Sequence, residues 1–320
     1  MGEVRRLVTF VQKQSVRLAR AWCALREMGD VDAIHDFRVA CRRLNEPLAA
    51  MVGRASGKGA KAGRKLGKLR KLRKLRKQLK TLRRALGEVR DIDVLLASLS
   101  APDSPVKLDA RHSAQVEGML TAERERRYRE GVAALEKRKP KRVVRRVQKL
   151  AKRYGAGERG AGAAVVEAVR TMWRKRAEAL LAAPVLEGED VRLHPIRVNL
   201  KGLRYCTELL LRIGKGEDAA LLARFRAMQE RLGSWNDHVN AATRLSRLAT
   251  EPKTIAVQTG WSKAVLEYSA ARARAAERLV EEIRERWPTF RAAVEAAVTT
   301  YAEVRPEVQS RCGVSARTEA

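Results

Sequence analysis

Aromatic side chains are scarce in this chain: five Trp, five Tyr and four Phe make up 4% of 320 residues. Proteins that hold single-stranded nucleic acid usually lay bases on aromatic platforms. There is little material for such a platform here, although duplex binding and stacking on Arg remain open. Cysteine is equally sparse. Cys23, Cys41, Cys206 and Cys312 stand far apart, with neither a CxxC metal spacing nor a disulfide framework. They read as small apolar core residues in a reducing cytosol. Long apolar runs are missing too. No stretch of 18 apolar residues exists, so no membrane span is expected. The N-terminus, Met1-Gly2-Glu3-Val4-Arg5-Arg6, lacks the apolar core of a secretory signal.

The deficit that matters most is in acid. Against 68 Lys and Arg there are 37 Asp and Glu, a formal charge of +31. Such an excess opposes a compact fold by self-repulsion unless a polyanion is near. At 45% hydrophobic the chain can nonetheless bury a core and is not a disordered tail. The composition therefore points to a folded protein with a polyanionic partner: nucleic acid, inorganic polyphosphate or an acidic membrane surface.

What is present is helical. Ala, Leu, Arg, Lys and Glu dominate, and no alternating strand pattern stands out. Helices are expected at about 3–28, 31–52, 64–86, 110–138, 140–154, 163–182, 191–213, 217–232, 236–249 and 259–286. A short helix follows Leu86-Gly87 with Asp91 as its N-cap, and Pro288 opens a last one. Asp30 and Asp190 are placed to cap the helices after them. Loops are expected at 53–63, 100–109, 184–189, 214–216 and 250–258. Gly155–Gly162 is the clearest linker, and the tail 306–320 is expected to be frayed. The most basic segment is 64–86. Twelve of its residues from Arg64 to Arg84 are Lys or Arg, without one acid. Leu66, Leu69, Leu72, Leu75, Leu79, Leu82 and Leu86 recur every three or four residues, so the helix should dock by this stripe and present a rail of cations. Like charges at i,i+4 cost stability, which weakens a purely solvating role. Arg73, Lys77, Lys80 and Arg84 are the rail's candidate ligand contacts.

Two stretches echo each other. Ile34-His35-Asp36-Phe37-Arg38-Val39-Ala40-Cys41-Arg42-Arg43-Leu44 and Leu193-His194-Pro195-Ile196-Arg197-Val198-Asn199-Leu200-Lys201-Gly202-Leu203 share His, then Arg at +3, Val at +4, a base at +7 and Leu at +9. Positions 0, +3 and +7 lie on one helix face, so each copy is a ladder of one imidazole and two cations, with no carboxylate on it. Leu86-Gly87-Glu88-Val89-Arg90-Asp91 is likewise echoed by Leu232-Gly233-Ser234-Trp235-Asn236-Asp237. This pattern implies an internal duplication, with about six helices in each half: 1–155 and 156–305.

The chemistry of catalysis is hard to find. Of His35, His112, His194 and His238, none sits in an HxH or HExxH spacing, and Arg at +3 and +7 would repel a metal cation. Asp91, Asp93 and Asp237 could gather Mg²⁺, but helix caps and ion pairs to the ladder arginines account for them more simply. Gly53 to Gly57-Lys58 is one residue short of a P-loop, has Gly59 where Ser or Thr is needed, and follows no strand. No nucleophile–base pair is recognisable. No cofactor or metal is expected, and the chain does not read as an enzyme.

The duplicated His-x-x-Arg helices and Leu-Gly-x-x-(Arg/Asn)-Asp turns, in a basic all-helical chain, resemble the CHAD family (the histidine α-helical domain) over roughly residues 1–305. The motifs that carry the resemblance are His35/Arg38/Arg42/Arg43, His194/Arg197/Lys201/Arg204-Tyr205, and Leu86-Gly87 with Arg90-Asp91-Ile92-Asp93. The resemblance implies an all-α fold of two pseudo-symmetric helical bundles. It also implies binding of inorganic polyphosphate in the cytoplasm, with association with polyphosphate granules. The second half departs from the pattern: Asn236 replaces the Arg of the turn, and its middle helix mixes Arg224, Arg226 and Arg231 with acids. The expected site is therefore asymmetric, weighted to the N-terminal half, with the 64–84 rail and both ladders lining one groove. Its expected members are His35, Arg38, Arg42, Arg43, Arg73, Lys77, Lys80, Arg84, Arg90, His194, Arg197, Lys201, Arg204 and Tyr205. Arg suits bidentate contact with phosphate oxygens and Lys a point charge. The two histidines fit either ligand contact or a helix–helix contact; as ligands they would raise affinity toward pH 6. The alternatives are a nucleic-acid or nucleoid-associated protein using the same rail and, more weakly, a metal-dependent phosphohydrolase.

Overall fold

A computed structural model describes residues 2–56, 62–99, 107–155, 161–183, 193–214, 219–252 and 259–303. Among the described residues there are ten helices and no strand: α1 (Glu3–Glu27), α2 (Val31–Ser56), α3 (Ala62–Ala85), α4 (Gly87–Leu99), α5 (Ala110–Arg138), α6 (Pro140–Gly155), α7 (Ala161–Leu181), α8 (Leu193–Ile213), α9 (Ala219–Ala249) and α10 (Thr259–Glu303). The fold is all-α, as the composition requires. The Asp190 cap, the 306–320 tail, the loop at 184–189 and most of the other expected loops and the glycine linker lie outside the described residues.

Local signals set most boundaries. Asp30 accepts from the Ala33 amide at 2.6 Å and starts α2, satisfying one orphan donor of the first turn. Asp109 accepts from the His112 amide at 3.0 Å and starts α5. Lys139, at φ 52, stops α5 in the left-handed conformation, and Pro140 opens α6.

Three local expectations are corrected. Gly233 does not end a helix, because α9 runs through it. A helical glycine costs only about 1 kcal/mol relative to alanine. Against that, Phe225, Met228, Leu232, Ala241 and Leu245 on either side of it are all buried. Pro288 does not open a new helix but lies within α10. Its neighbours Trp287 and Phe290 are buried, with ring centroids 5.5 Å apart, and Phe290 meets Phe225 at 6.0 Å. That aromatic packing holds α10 together across the missing amide. Asp91 is not an N-cap either, because α4 begins at Gly87 and Asp91 falls inside it.

α1, α2, α3 and α6 close a four-helix ring: α2 packs on α1 and α3, and α6 packs on the same two from the other side. The leucine stripe of α3 does what it was expected to do. Leu72, Leu75, Leu79 and Leu82 are buried in the main core, joined by Leu86 just beyond the helix end. Trp22 of α1 meets Phe37 of α2 at 6.0 Å. The same core continues into α7 and α8 through Trp173, Leu200 and Leu203, so one apolar core serves both halves of the chain. A second core joins the α4–α5 pair to the α9–α10 pair through Ile92, Leu95, Val116, Leu120, Leu245 and Val265. There the buried Arg272 guanidinium donates to the Ser98 carbonyl at 2.8 Å and to the Tyr268 hydroxyl at 2.6 Å.

Buried polar contacts pin the helices. Arg176 of α7 donates to Glu46 of α2 at 2.7 Å and to the Gly202 carbonyl of α8 at 2.7 Å. Burial works against the Arg176 charge, and Cys206 and Glu46 together more than offset it. Cys41 and Cys206 are core residues, as expected, with burial pushing each thiol up to about 12. Cys23 departs from that expectation and is exposed. Cys312 lies outside the described residues.

Candidate functional site: a basic cradle between the two ladders

The two ladder helices face each other. Arg42 of α2 donates to the Tyr205 hydroxyl of α8 at 3.4 Å. Its charge acts on Arg197 and on Lys201 of α8. Arg38, one turn before Arg42, donates to the Arg83 carbonyl at 3.0 Å. That carbonyl is near the C-terminus of α3, where acceptors lack partners within the helix and a cation suits the dipole. Arg38 thereby holds the α3–α4 corner against α2 and brings Arg83 and Arg90 to the same place. Six cations gather there: Arg38, Arg42, Arg83, Arg90, Arg197 and Lys201. Two carboxylates flank them, Asp91 of α4 and Asp237 of α9.

The electrostatics show how crowded the cluster is. Burial, and then Arg197 and Arg42, bring the Lys201 ammonium down to about 7, with Asp237 opposing and Arg83 adding to the fall. Burial takes Arg38 down to about 10, against the pull of Asp91. Arg83 and Arg197 are lowered as well, burial first and Arg42 among the causes in both. Burial is also the main reason Asp91 is raised; Asp237 adds to it, while Arg38, Arg244 and Arg197 oppose. An anion set among the cations would favour the charged form of every one of them. Guanidinium groups from four helices and one ammonium offer it several N–H donors in different planes, which suits a run of tetrahedral phosphates.

Not every expected site residue belongs to this cradle. Arg38, Arg42, Arg90, Arg197, Lys201 and Tyr205 do. His35 stands at its rim, exposed, its imidazole lowered by partial burial and by Arg90, with Asp36 opposing. His194 is exposed at the first turn of α8. Arg43 is half-buried and makes no hydrogen bond or ion pair among the described residues. Arg204 is taken up by its neighbours: it is ion-paired with Glu208, donates to Gln229 at 2.7 Å and lies 4.5 Å over the Tyr205 ring. Arg73, Lys77, Lys80 and Arg84 are exposed on the outer face of α3. The α3 cations that turn inward are instead Arg83 and Arg76, the latter donating to Asn45 of α2 at 3.3 Å. Each follows a buried leucine of the stripe by one position, a heptad apart. That spacing is visible in the sequence, but which flank of the stripe faces α2 is not. Asp91 and Asp237, read as cap or ion-pair residues, are the other members missed.

Beside the cradle lies a cleft of about 430 Å³, lined in part by Asp91, Asp237, Glu88, Glu123, Arg127 and Arg244. Five carboxylates and three arginines line it, and two of the arginines are paired: Arg244 meets Glu123 at 2.8 Å and Arg127 meets Glu88 at 2.9 Å. Among the described residues no group of three or more His, Cys, Asp or Glu is placed to hold a metal ion, and no helix is long and apolar enough to cross a membrane.

The CHAD domain family matches residues 10–246. The chain belongs to the CHAD family. The crystal structure of the CHAD domain from the plant Ricinus communis is similar at TM-score 0.67 and 20% identity, over 92% of each chain. PptA from Streptomyces chartreusis is similar at TM-score 0.55 and 16% identity, over 90% of this chain and 100% of its own. At these identities the likeness is one of CHAD fold. No curated protein matches the chain. The CHAD domain is generally a binding domain, and the family is known as polyphosphate-binding.

Proposed function

We propose that this chain binds inorganic polyphosphate, without turning it over, in the cradle formed by Arg38, Arg42, Arg83, Arg90, Arg197 and Lys201. The observation that carries this reading is the convergence of Arg42 with Arg197 and Lys201 from distant parts of the sequence, where burial and then the neighbouring arginines bring Lys201 down to about 7. A surface evolved only for solubility gains nothing from burying like charges together; a site for a polyanion does. Polyphosphate has no bases to read, and the cradle offers charge and N–H donors beside the Tyr205 hydroxyl. His35, His194 and the exposed row Arg73, Lys77, Lys80 and Arg84 would extend the contact beyond the cradle. A protein of this kind would collect on polyphosphate granules in the cytoplasm.

Competition tests the ligand class. Long-chain polyphosphate should displace duplex DNA and RNA from the purified protein at physiological salt. Equal or tighter hold on nucleic acid would favour a nucleic-acid partner on the α3 row instead. The same preparation should release no orthophosphate with Mg²⁺ present. Release that disappears in Asp91→Asn or Asp237→Asn would make the protein a phosphohydrolase.

A further inference from the structure

The site already described uses one side of the α1–α2–α3–α6 ring. Across that ring from α2 stands α6, a second acid-free cationic helix besides α3. Its sequence, Pro140 to Gly155, holds seven cations and no acid. All seven (Lys141, Arg142, Arg145, Arg146, Lys149, Lys152, Arg153) are exposed. None is ion-paired among the described residues, whereas the cations of α5 are largely matched by acids. Several stand at i,i+4 to one another, which destabilises the helix. Its apolar side, Val143, Val144, Val147 and Ala151, is spent in the core.

Between α6 and α1 runs a groove of about 560 Å³, lined by Arg145, Lys149, Lys152 and Arg153 from α6 and by Gln12 and Val16 from α1. Among the described residues no carboxylate lines it, in contrast to the carboxylate-rich cleft beside the cradle. Lys13 and Arg20, three before and four after Val16, are exposed and extend the opposite ridge. The groove thus has cations along both edges and a polar and aliphatic floor.

We propose that the α1–α6 groove is a second polyphosphate-binding site, so that one protein molecule holds two segments of polyphosphate on opposite sides of its first bundle. This rests on the reading of the cradle as a polyphosphate site. The groove's chemistry selects the occupant. Among the described residues no aromatic side chain lines it to stack a base. A bilayer surface would gain charge contact but no insertion, because the apolar face of α6 is buried. A duplex is a thick rod that would ride on the ridges. A thin, flexible chain of phosphates can lie in the groove and meet cations from both edges. Two such sites facing opposite ways make the protein a cross-linker of polyphosphate, the property needed to condense it.

The experiment compares the full chain with Arg145→Glu/Lys149→Glu/Lys152→Glu and with a cradle variant, Arg42→Ala/Arg197→Ala. Each is titrated with a polyphosphate too short to span the bundle, and each is mixed with long-chain polyphosphate and followed by light scattering. The expected result is two short chains bound by the wild type and one by each variant, with large assemblies formed on long chains only by the wild type. Retention of one site by the groove variant also shows that it is folded. One short chain per wild-type molecule, or two still bound by the groove variant, overturns the second site while leaving the cradle standing. No binding by the wild type overturns both. If the groove variant loses duplex DNA while keeping two polyphosphate chains, the groove is a nucleic-acid surface and the proposal fails.

Discussion

Arg42 on α2 reaches the hydroxyl of Tyr205 on α8 at 3.4 Å. The contact joins the +7 rung of the first ladder to the residue four past the +7 rung of the second, so α2 and α8 meet along their functional faces. Arg42 is therefore central to the cradle's electrostatics: it acts on Arg38, Arg83, Arg197 and Lys201. Arg42→Ala should raise the Lys201 titration from about 7 part of the way toward 10.5, burial keeping the remainder. NMR of the lysine side chains would read the change, and a Lys201 that does not move would contradict the crowding.

The lowered Lys201 sets a pH dependence. The groups that face it are Arg197 on its own helix, Arg42 on α2, Arg83 on α3 and Asp237 on α9. In the free protein it loses its proton near 7, while the unfolded chain keeps it until about 10.5. Between those values the unfolded state binds more protons, so this group makes stability rise with pH across that window. Binding runs the opposite way. A phosphate beside Lys201 restores its proton, so above pH 7 binding should take up a proton and affinity should fall as pH rises. Calorimetry in two buffers of different ionisation enthalpy measures the uptake. Affinity independent of pH from 7 to 9 would rule out Lys201 as a ligand contact.

Asp91 limits the cradle's charge. It acts on Arg38 and Arg197 and lies close to Asp237. Asp91→Asn removes that restraint at little change in shape, and should tighten polyphosphate several-fold. Weaker binding in this variant would mean that Asp91 orients the arginines rather than opposing the ligand.

Glu46 should matter to folding and not to binding. It is buried, its carboxylate accepts from Arg176 at 2.7 Å and from Asn45 at 3.2 Å, and it ties α2 to α7. Glu46→Ala leaves Arg176 without its carboxylate in a largely buried place, a change that typically costs about 3–5 kcal/mol. Urea denaturation should show a loss of that size, with polyphosphate affinity retained in the folded fraction. A loss below about 1 kcal/mol would show that water relieves Arg176.

Much of this was legible in the sequence. Lys139 and Pro140 end α5 and begin α6 where the composition changes. The His35–Arg38–Arg42 and His194–Arg197–Lys201 spacings place each ladder on one face whatever else the chain does. Gly233 and Pro288 misled because their local costs are small beside the burial of Phe225, Trp287 and Phe290 on a long helix pair. The cradle itself was half visible. The repeat marks Arg38, Arg42, Arg197 and Lys201 as members of two related faces, yet whether those faces meet depends on packing between helices. For the same reason Arg83 could not be told from Arg84, one residue away and exposed. Arg204 matched the motif but is neutralised by Glu208, an ordinary i,i+4 pair that the spacing does reveal.

The most direct measurement sets position against charge. Polyphosphate affinity is determined for the wild type, for Arg42→Ala/Arg197→Ala in the cradle and for Lys77→Ala/Arg84→Ala on the exposed row, two variants with the same loss of charge. A charge-assisted contact to phosphate contributes about 1.5 kcal/mol or more, roughly tenfold in affinity. The cradle pair should therefore weaken binding by about a hundredfold or more, and the exposed pair by only a few-fold. Equal losses in the two variants would contradict a built site and leave only a protein with a high net charge.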